Sequence, residues 1–404
     1  MEIRLNCKLN IAEQVEIMDN CFDIAIAHST ELDSISAITE IIEKCRLQLS
    51  GQQPSAGILF AGIDVDHQLV LNHIFEIWPD LQLIGATTDG EFSSENVYTE
   101  DSLVLILLVS ETVKFVAGSI NNKAPDLEEE CRQALSAAEE RLGLSPKLCI
   151  LFSDVLNING ETIMKLMSQA SGGTLPIVGG ISGDSWRFSE AKQFFNNVAS
   201  SSISSFLLLE GPFQYSFGMD SGWKPVGESG VVTKSDSNIV YEINNKATLD
   251  FYENILGENT KPTLELPIAV YDEQNNFRFM RTTFENYDIH TGSVTYLGNV
   301  PAGSNVRITL VSRDSIIAGT VSSLKYAAAA FPANSSPCVA LCFSCSARRV
   351  LLGSRTAEEC SLVHDILGDN VLYAGFYTYG EFCPRLLEHT NEFHNETFVV
   401  LLLG

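Results

Sequence analysis

The chain has 404 residues, 45% of them apolar, and a formal net charge of −26. Such a length accommodates two domains, or one large duplicated one, around a substantial core. So acidic a chain is repelled by phosphate backbones and anionic membranes, which argues against nucleic acid and membrane as partners.

The start, MEIRLNCKLNIAEQVEIMDN, has no sustained apolar segment behind a basic one. The longest apolar runs, LVLILLV and FVVLLLG, are too short to span a bilayer and read as buried strands. Ten cysteines follow no disulfide-scaffold rhythm. A cytoplasmic protein with reduced thiols is expected.

In chain order, FDIAIAHS reads as a strand. The next segment, ELDSISAITEIIEKCRLQL, places Leu32, Ile35, Ile38, Ile42, Cys45 and Leu49 at helical spacing. AGILFAG is a short strand, DHQLVLNHIFEIWP a helix, and LQLIGATTDGEF and DSLVLILLVS two further strands. The same order recurs from Val113: strand VKFVAGS, helix DLEEECRQALSAAEERLG, strand KLCILFSD, helix GETIMKLMSQAS, then LPIVGGISGDSW and the strand SSFLLLEG. Acids in the first turn and a closing glycine frame the first helix of this copy. A third pass starts near Asn305, with VRITLVS as its first strand, and ends on NVLYAGFYTYGEF and ETFVVLLLG. Between the second and third copies lies a Gly-rich stretch, a short helix and a β-meander.

A strand–helix–strand–helix–strand–strand unit is therefore written three times, and two copies keep T-x-G-E-F. The expectation is an α/β fold with mixed sheets built from these units in two domains, residues 1–215 and 216–404. The second domain carries the β-rich insert and the third unit.

GATTDGEF and VGGISGD in the amino half, and SGWKPVGESGVVT, CFSCSARRVLLG, GFYTYGEF and FHNETF in the carboxyl half, follow one another along nearly the whole chain. In their order and spacing the chain resembles the FIST family of prokaryotic signal-input proteins. The resemblance implies a FIST N-type and a FIST C-type domain and an intracellular sensory module for a small ligand. With no output domain recognised, it implies a sensor acting on a separate partner, such as a histidine kinase. Some stand-alone relatives are described as haem proteins that sense nitric oxide, so haem is implied as a possible cofactor with His394 the candidate ligand. No haem-ligand motif matches residue by residue. The alternatives are a sensor of a small metabolite such as an amino acid, and a cysteine-dependent hydrolase using Cys345 and His394.

The candidate ligand-binding residues are Cys345, Arg348, Glu381, His394 and Asn395, with Asp89, Glu91 and Asp184 in the amino half. Gly90 and Gly380 permit backbone approaches that a Cβ would block. Glu91 and Glu381 then either accept backbone N–H groups in a turn or line a shared cleft for an amine. Gly183-Asp184 takes the equivalent place in the second copy. Arg348 would meet an anionic group and, with Arg349, would lower the Cys345 thiol pKa. Cys338, Cys342 and Cys345 have C-x3-C-x2-C spacing, but on a strand their side chains alternate and read as buried hydrophobes rather than cluster ligands. The small residues of RDSIIAGTVSSLKYAAAAF allow close packing, in the core or between copies in a homo-oligomer. No phosphate loop, dinucleotide fingerprint or nucleophile elbow is present.

Overall fold

A computed structural model describes residues 22–154, 156–385 and 390–404; the amino-terminal stretch and His389 lie outside the described residues. The first unit runs β1 (Asp23–Ser29), α1 (Ser34–Leu49), β2 (Ala56–Ala61), α2 (His67–Ile77), β3 (Gln82–Thr87), β4 (Glu91–Ser93) and β5 (Leu103–Val109). The second runs β6 (Lys114–Asn121), α3 (Leu127–Leu142), β7 (Leu148–Ser153), α4 (Gly160–Ala170), β8 (Ile177–Ile181), β9 (Gln193–Phe195), β10 (Val198–Ser200) and β11 (Ile203–Glu210). The third opens with β12 (Tyr215–Asp220). It is then interrupted by β13 (Lys224–Pro225), β14 (Gly230–Asp236), β15 (Ile239–Ile243), β16 (Lys246–Ala247), α5 (Thr248–Leu256), β17 (Ile268–Tyr271), β18 (Phe277–Arg281), β19 (Val294–Thr295) and β20 (Asn305–Leu310). It resumes with α6 (Arg313–Ala330), β21 (Val339–Cys345), α7 (Ser346–Leu352), α8 (Thr356–Leu367), β22 (Leu372–Thr378), β23 (Glu381–Pro384), β24 (Asn391–His394) and β25 (Phe398–Leu403).

Local signals account for the helices. Asp33 accepts a hydrogen bond from the Ser36 amide at 2.9 Å and starts α1, and Ser50 in the left-handed region ends it. The buried face of α1 is Ala37, Ile38, Ile41, Ile42, Cys45 and Leu49. Leu32 and Ile35, expected on that face, are 85% and 52% exposed, because Leu32 precedes the helix and Ile35 sits in its first turn on the solvent side.

Each unit forms the same four-stranded sheet, in the order first, fourth, second, third: β1-β5-β2-β3, β6-β11-β7-β8 and β12-β25-β21-β22. The second and third strands are parallel and the fourth is antiparallel to its neighbours. The inner faces of all three sheets share one core. At its centre stand Phe60, Phe152 and Phe343, from the same position of β2, β7 and β21, joined by Phe376. Phe60 and Phe152 are 5.7 Å apart, Phe152 and Phe343 6.0 Å, and Phe60 and Phe376 4.6 Å. The helices cover the outer faces.

The short strand after each third strand crosses to another unit. β4 pairs with β22, β9 with β3, and β23 with β8, so units one, two and three hold three, one and two in a closed cycle. In every crossing a phenylalanine lies opposite a glycine: Phe92 on Gly375, Phe194 on Gly85, Phe382 on Gly179. A Cβ on Gly375 would stand 2.5 Å from the Phe92 ring and 2.5 Å from the Cys342 carbonyl. A Cβ on Gly85 would stand 2.8 Å from Phe194 and 2.1 Å from the Leu59 carbonyl. The repeated Gly-Glu-Phe therefore straps one unit to the next rather than reversing the chain within its own sheet.

Two expectations change here. VRITLVS does not open the third unit: β20 pairs with β14 and β17 in the inserted sheet, while YSFGMD pairs with β25 from Tyr215↔Leu403 to Asp220↔Phe398. The second-copy counterpart of Glu91 and Glu381 is Gln193 in β9, not Asp184, because eight residues are inserted between the end of β8 and the crossing strand's approach. The small residues of α6 serve the core. A Cβ on Gly218 of β12 would meet the Ser323 carbonyl at 2.1 Å, so strand and helix are in near backbone contact. Among the described residues, no helix is long and apolar enough to cross a membrane.

Candidate ligand-binding site

The crossing glutamates are fully buried fasteners. Glu91 accepts from the Ser102 hydroxyl at 2.5 Å and from the Thr88 hydroxyl, and Glu381 accepts from the Thr397 hydroxyl at 2.6 Å and amide at 3.1 Å. Ser102 precedes β5 and Thr397 precedes β25, so each glutamate pins the return strand of its own unit. Burial pushes Glu91 up to about 7, opposed by the Ser102 and Thr88 hydrogen bonds, and pushes Glu381 well above its ordinary value. The folded state thus binds a proton at Glu91 that the unfolded state has released by about pH 5. Its contribution to stability is full below pH 4.5 and falls by about 3 kcal/mol as pH rises through 7. Glu91→Gln, the residue type already used at Gln193, is expected to match the parent at pH 4 and to be the more stable at pH 8. Urea unfolding of both proteins across that range checks it; parallel pH curves would contradict it.

Asp184 is buried and organises the inserted loop. Burial would raise its carboxyl, but the amides of Glu190, Ser189 and Phe188 and the Tyr379 hydroxyl hold it below the usual range. Asp89 pairs with Arg349 at 3.0 Å across the first and third units and is pushed up to about 6 by burial. Trp186 and Ser346 face Asp89 without hydrogen-bond geometry.

Arg348 does not meet an anion from outside. It is fully buried and donates to Glu359 at 2.6 Å, Thr320, and the carbonyls of Ile316, Ser221 and Glu396. Nor does it activate Cys345. Burial and the Glu381 and Glu396 carboxyls push that thiol well above its ordinary pKa. Cys338 belongs to the central core and Cys342 to the helix-facing cluster, and no group of three or more metal-binding side chains occurs among the described residues.

His394 is fully buried, and its Nε2 lies 3.0 Å from the Cys383 carbonyl, to which it donates. Burial lowers its pKa to about 3. The Asn395 amide and both Glu396 carboxylate oxygens are buried without partners. Glu396 has a positive φ of 64° and is pushed up to about 8. A haem needs an imidazole at the wall of a cavity. His394 is 0% exposed with its Nε2 engaged, and its partnerless Nδ1 is buried beside Arg281 and Arg385 rather than open to space for a porphyrin, so these residues do not fit a haem at His394.

Of the expected residues, only Cys345 borders the cavity of about 420 Å³ that Trp186, Phe188, Phe284 and Tyr379 line. This pocket lies where the loop before α4, the inserted loop of the second unit, the inserted sheet and the start of α7 meet. Trp186, Phe188, Phe284 and Tyr379 form one ring cluster on it. Phe188 stacks on Tyr379 at 4.9 Å, and Trp186 meets Phe284 edge-on at 5.4 Å. Thr282, Ser346 and Trp186 border it; the buried Thr282 hydroxyl is turned toward Glu396, and the Ser346 hydroxyl and Trp186 indole N–H toward Asp89, without good hydrogen-bond geometry. Arg281, fully buried, ties the inserted sheet to both neighbours, donating to Glu161 of α4 at 3.1 Å and to the Phe393 carbonyl at 3.0 Å. Sequence reasoning missed Thr282, Phe284 and Arg281 because nothing local marks them. Ser346 and Glu396 sat beside residues it did select.

The FIST N domain model matches residues 55–246 and the FIST C domain model residues 248–384. The chain belongs to the FIST family. FIST domains are sensory small-ligand-binding domains in signalling. The two FIST models meet between residues 246 and 248, inside the inserted sheet, whereas the third unit's first strand lies earlier, at Tyr215–Asp220. An uncharacterized protein of Methanocaldococcus jannaschii is 27% identical over 195 residues, covering 46% of this FIST protein and 37% of that relative. The chain thus spans well under half of the relative's length. A crystal structure of cyanuric acid hydrolase from A. caulinodans aligns over 95% of this chain and 99% of the other at 8% identity, with a TM-score of 0.37, too distant to carry an argument.

Proposed function

We propose that this FIST protein is a cytoplasmic small-ligand sensor that binds its ligand in the pocket bordered by Trp186, Phe188, Thr282, Phe284 and Ser346. The observation that carries this reading is an aromatic wall of four rings on a cavity of about 420 Å³, large enough for a small molecule. A ligand that covers these rings removes their apolar surface from water. The pocket takes walls from the second unit, the inserted sheet and the third unit, so occupancy biases how these parts close on one another. That closure is the signal a separate protein, such as a histidine kinase, would read. Binding rather than turnover is the activity proposed, since Cys345 is held as a thiol and His394 is engaged with a backbone carbonyl.

A thermal-shift screen of small metabolites tests the site. A true ligand is expected to raise the Tm of the parent and to lose most of that effect in Phe188→Ala and Ser346→Ala. Phe188 is 40% exposed, so its removal spares the fold. Stabilisation that persists unchanged in both variants would place the ligand elsewhere.

A further inference from the structure

The chemistry of the pocket wall points to the class of ligand, and this inference rests on the site proposed above. The chain carries 51 acidic and 25 basic residues. Yet none of the described residues bordering the 420 Å³ pocket is Asp, Glu, Lys, Arg or His. Its polar groups are amides, such as Asn157 and Asn286, and hydroxyls, such as Thr282 and Ser346.

The charged side chains behind this wall are set back from it. Asp89 gives one oxygen to Arg349 while Trp186 and Ser346 of the wall face its carboxyl, and Glu161 accepts from Arg281 and from the Asn299 amide at 2.9 Å. Arg348 spends its donors on Glu359, Thr320 and backbone carbonyls. Glu396 stands behind Thr282, and burial pushes its carboxyl up to about 8, which keeps most of it neutral at pH 7. A charged ligand would exchange water for aromatic rings and amides, with no opposite charge on the wall. A neutral one would lose little. The Trp186 indole N–H and the Ser346 hydroxyl face Asp89, and the Thr282 hydroxyl faces Glu396, so the buried donors of the wall are turned to the protein's own carboxyls. The rings of Trp186, Phe188, Phe284 and Tyr379 call for a flat apolar body.

We propose that the ligand is an uncharged planar or aromatic molecule, rather than an amino acid, a carboxylate or an amine. Arg348 and Glu381, which would have to hold the two ends of an amino acid, are fully buried outside this wall.

Two isosteric sets test this by isothermal titration calorimetry on the full chain. They are indole-3-acetamide, indole-3-acetate and tryptamine, and, smaller, benzamide, benzoate and benzylamine. The neutral member of at least one set is expected to bind ten-fold or more tightly than its charged partners, and to weaken at least ten-fold in Phe188→Ala combined with Phe284→Ala. Circular dichroism and the urea midpoint confirm that the variants fold. If a charged member binds as tightly as the neutral one and loses affinity in Phe188→Ala, the neutral class is overturned while the pocket stands. If neutral binding is unchanged in Phe188→Ala and in the Phe188/Phe284 variant, the pocket itself is wrong. Failure of every member to bind at millimolar concentration overturns the class.

Discussion

Phe92→Ala is expected to destabilise the protein by about 3–5 kcal/mol, the range for removing a fully buried phenylalanine. Phe92 is 0% exposed, sits opposite Gly375 in the strap between the first and third units, and packs 6.1 Å from Tyr377. The strand carrying it has three residues, and Phe92 is its apolar anchor between the polar fasteners Glu91 and Ser93. Its counterparts Phe194 and Phe382 are equally buried and close the other two junctions of the cycle. Each alanine variant should therefore lower the urea midpoint by a similar amount with unchanged slope. Leu32→Ala, at an 85% exposed position, is the control and should move stability by no more than about 0.5 kcal/mol. If the Phe92 variant behaved like the Leu32 control, the straps would be ornaments on three self-sufficient units.

Arg348→Met is expected to cost about 3–5 kcal/mol, because it strands a buried carboxylate. Glu359 is fully buried and also accepts from Ser344 at 2.8 Å and Tyr377 at 2.7 Å, so the ion pair is the centre of a network joining α6, β21, α8 and β22. Replacing both partners, Arg348→Met with Glu359→Gln, should recover much of the loss, since no charge remains unpaired and the amide can still serve Ser344 and Tyr377. Thermal or urea unfolding of the two single variants and the double one forms the cycle. A stable Arg348→Met protein that had lost only ligand affinity would return Arg348 to the binding site.

The sequence motifs and the structure part company at identifiable residues. Glu91 and Glu381 were selected as turn or cleft residues. Both turn out to hold return strands, a role that needs Ser102 and Thr397 to be known as neighbours across 11 and 16 residues. Asp184 resembled them in chemistry and position, yet strand pairing assigns their place to Gln193. Arg348 and Cys345 are three residues apart, which suggested an activated thiol. The guanidinium turns instead to Glu359, and the thiol meets carboxyls. Cys345 of CFSCSARRVLLG and Tyr379 of GFYTYGEF border the pocket. Most of its wall, however, comes from stretches of the second unit and the inserted sheet outside the quoted motifs, Ile181 of VGGISGD excepted.

Helix and strand positions, the three-fold repetition and the mixed α/β class were legible in the sequence alone. They rest on local causes: apolar periodicity, caps such as Asp33, and glycine at helix ends. The choice of partner is not local. Whether Glu91–Ser93 pairs within its unit or with β22, and whether Tyr215–Asp220 or Asn305–Leu310 completes the third sheet, depends on which free edge the assembled units leave open. Strands of similar composition offer the same backbone hydrogen bonds to any edge, so only tertiary packing, with a phenylalanine seated over a glycine at each junction, selects among them. The ligand pocket follows from that selection, because its walls are brought together only when the cycle of units has closed.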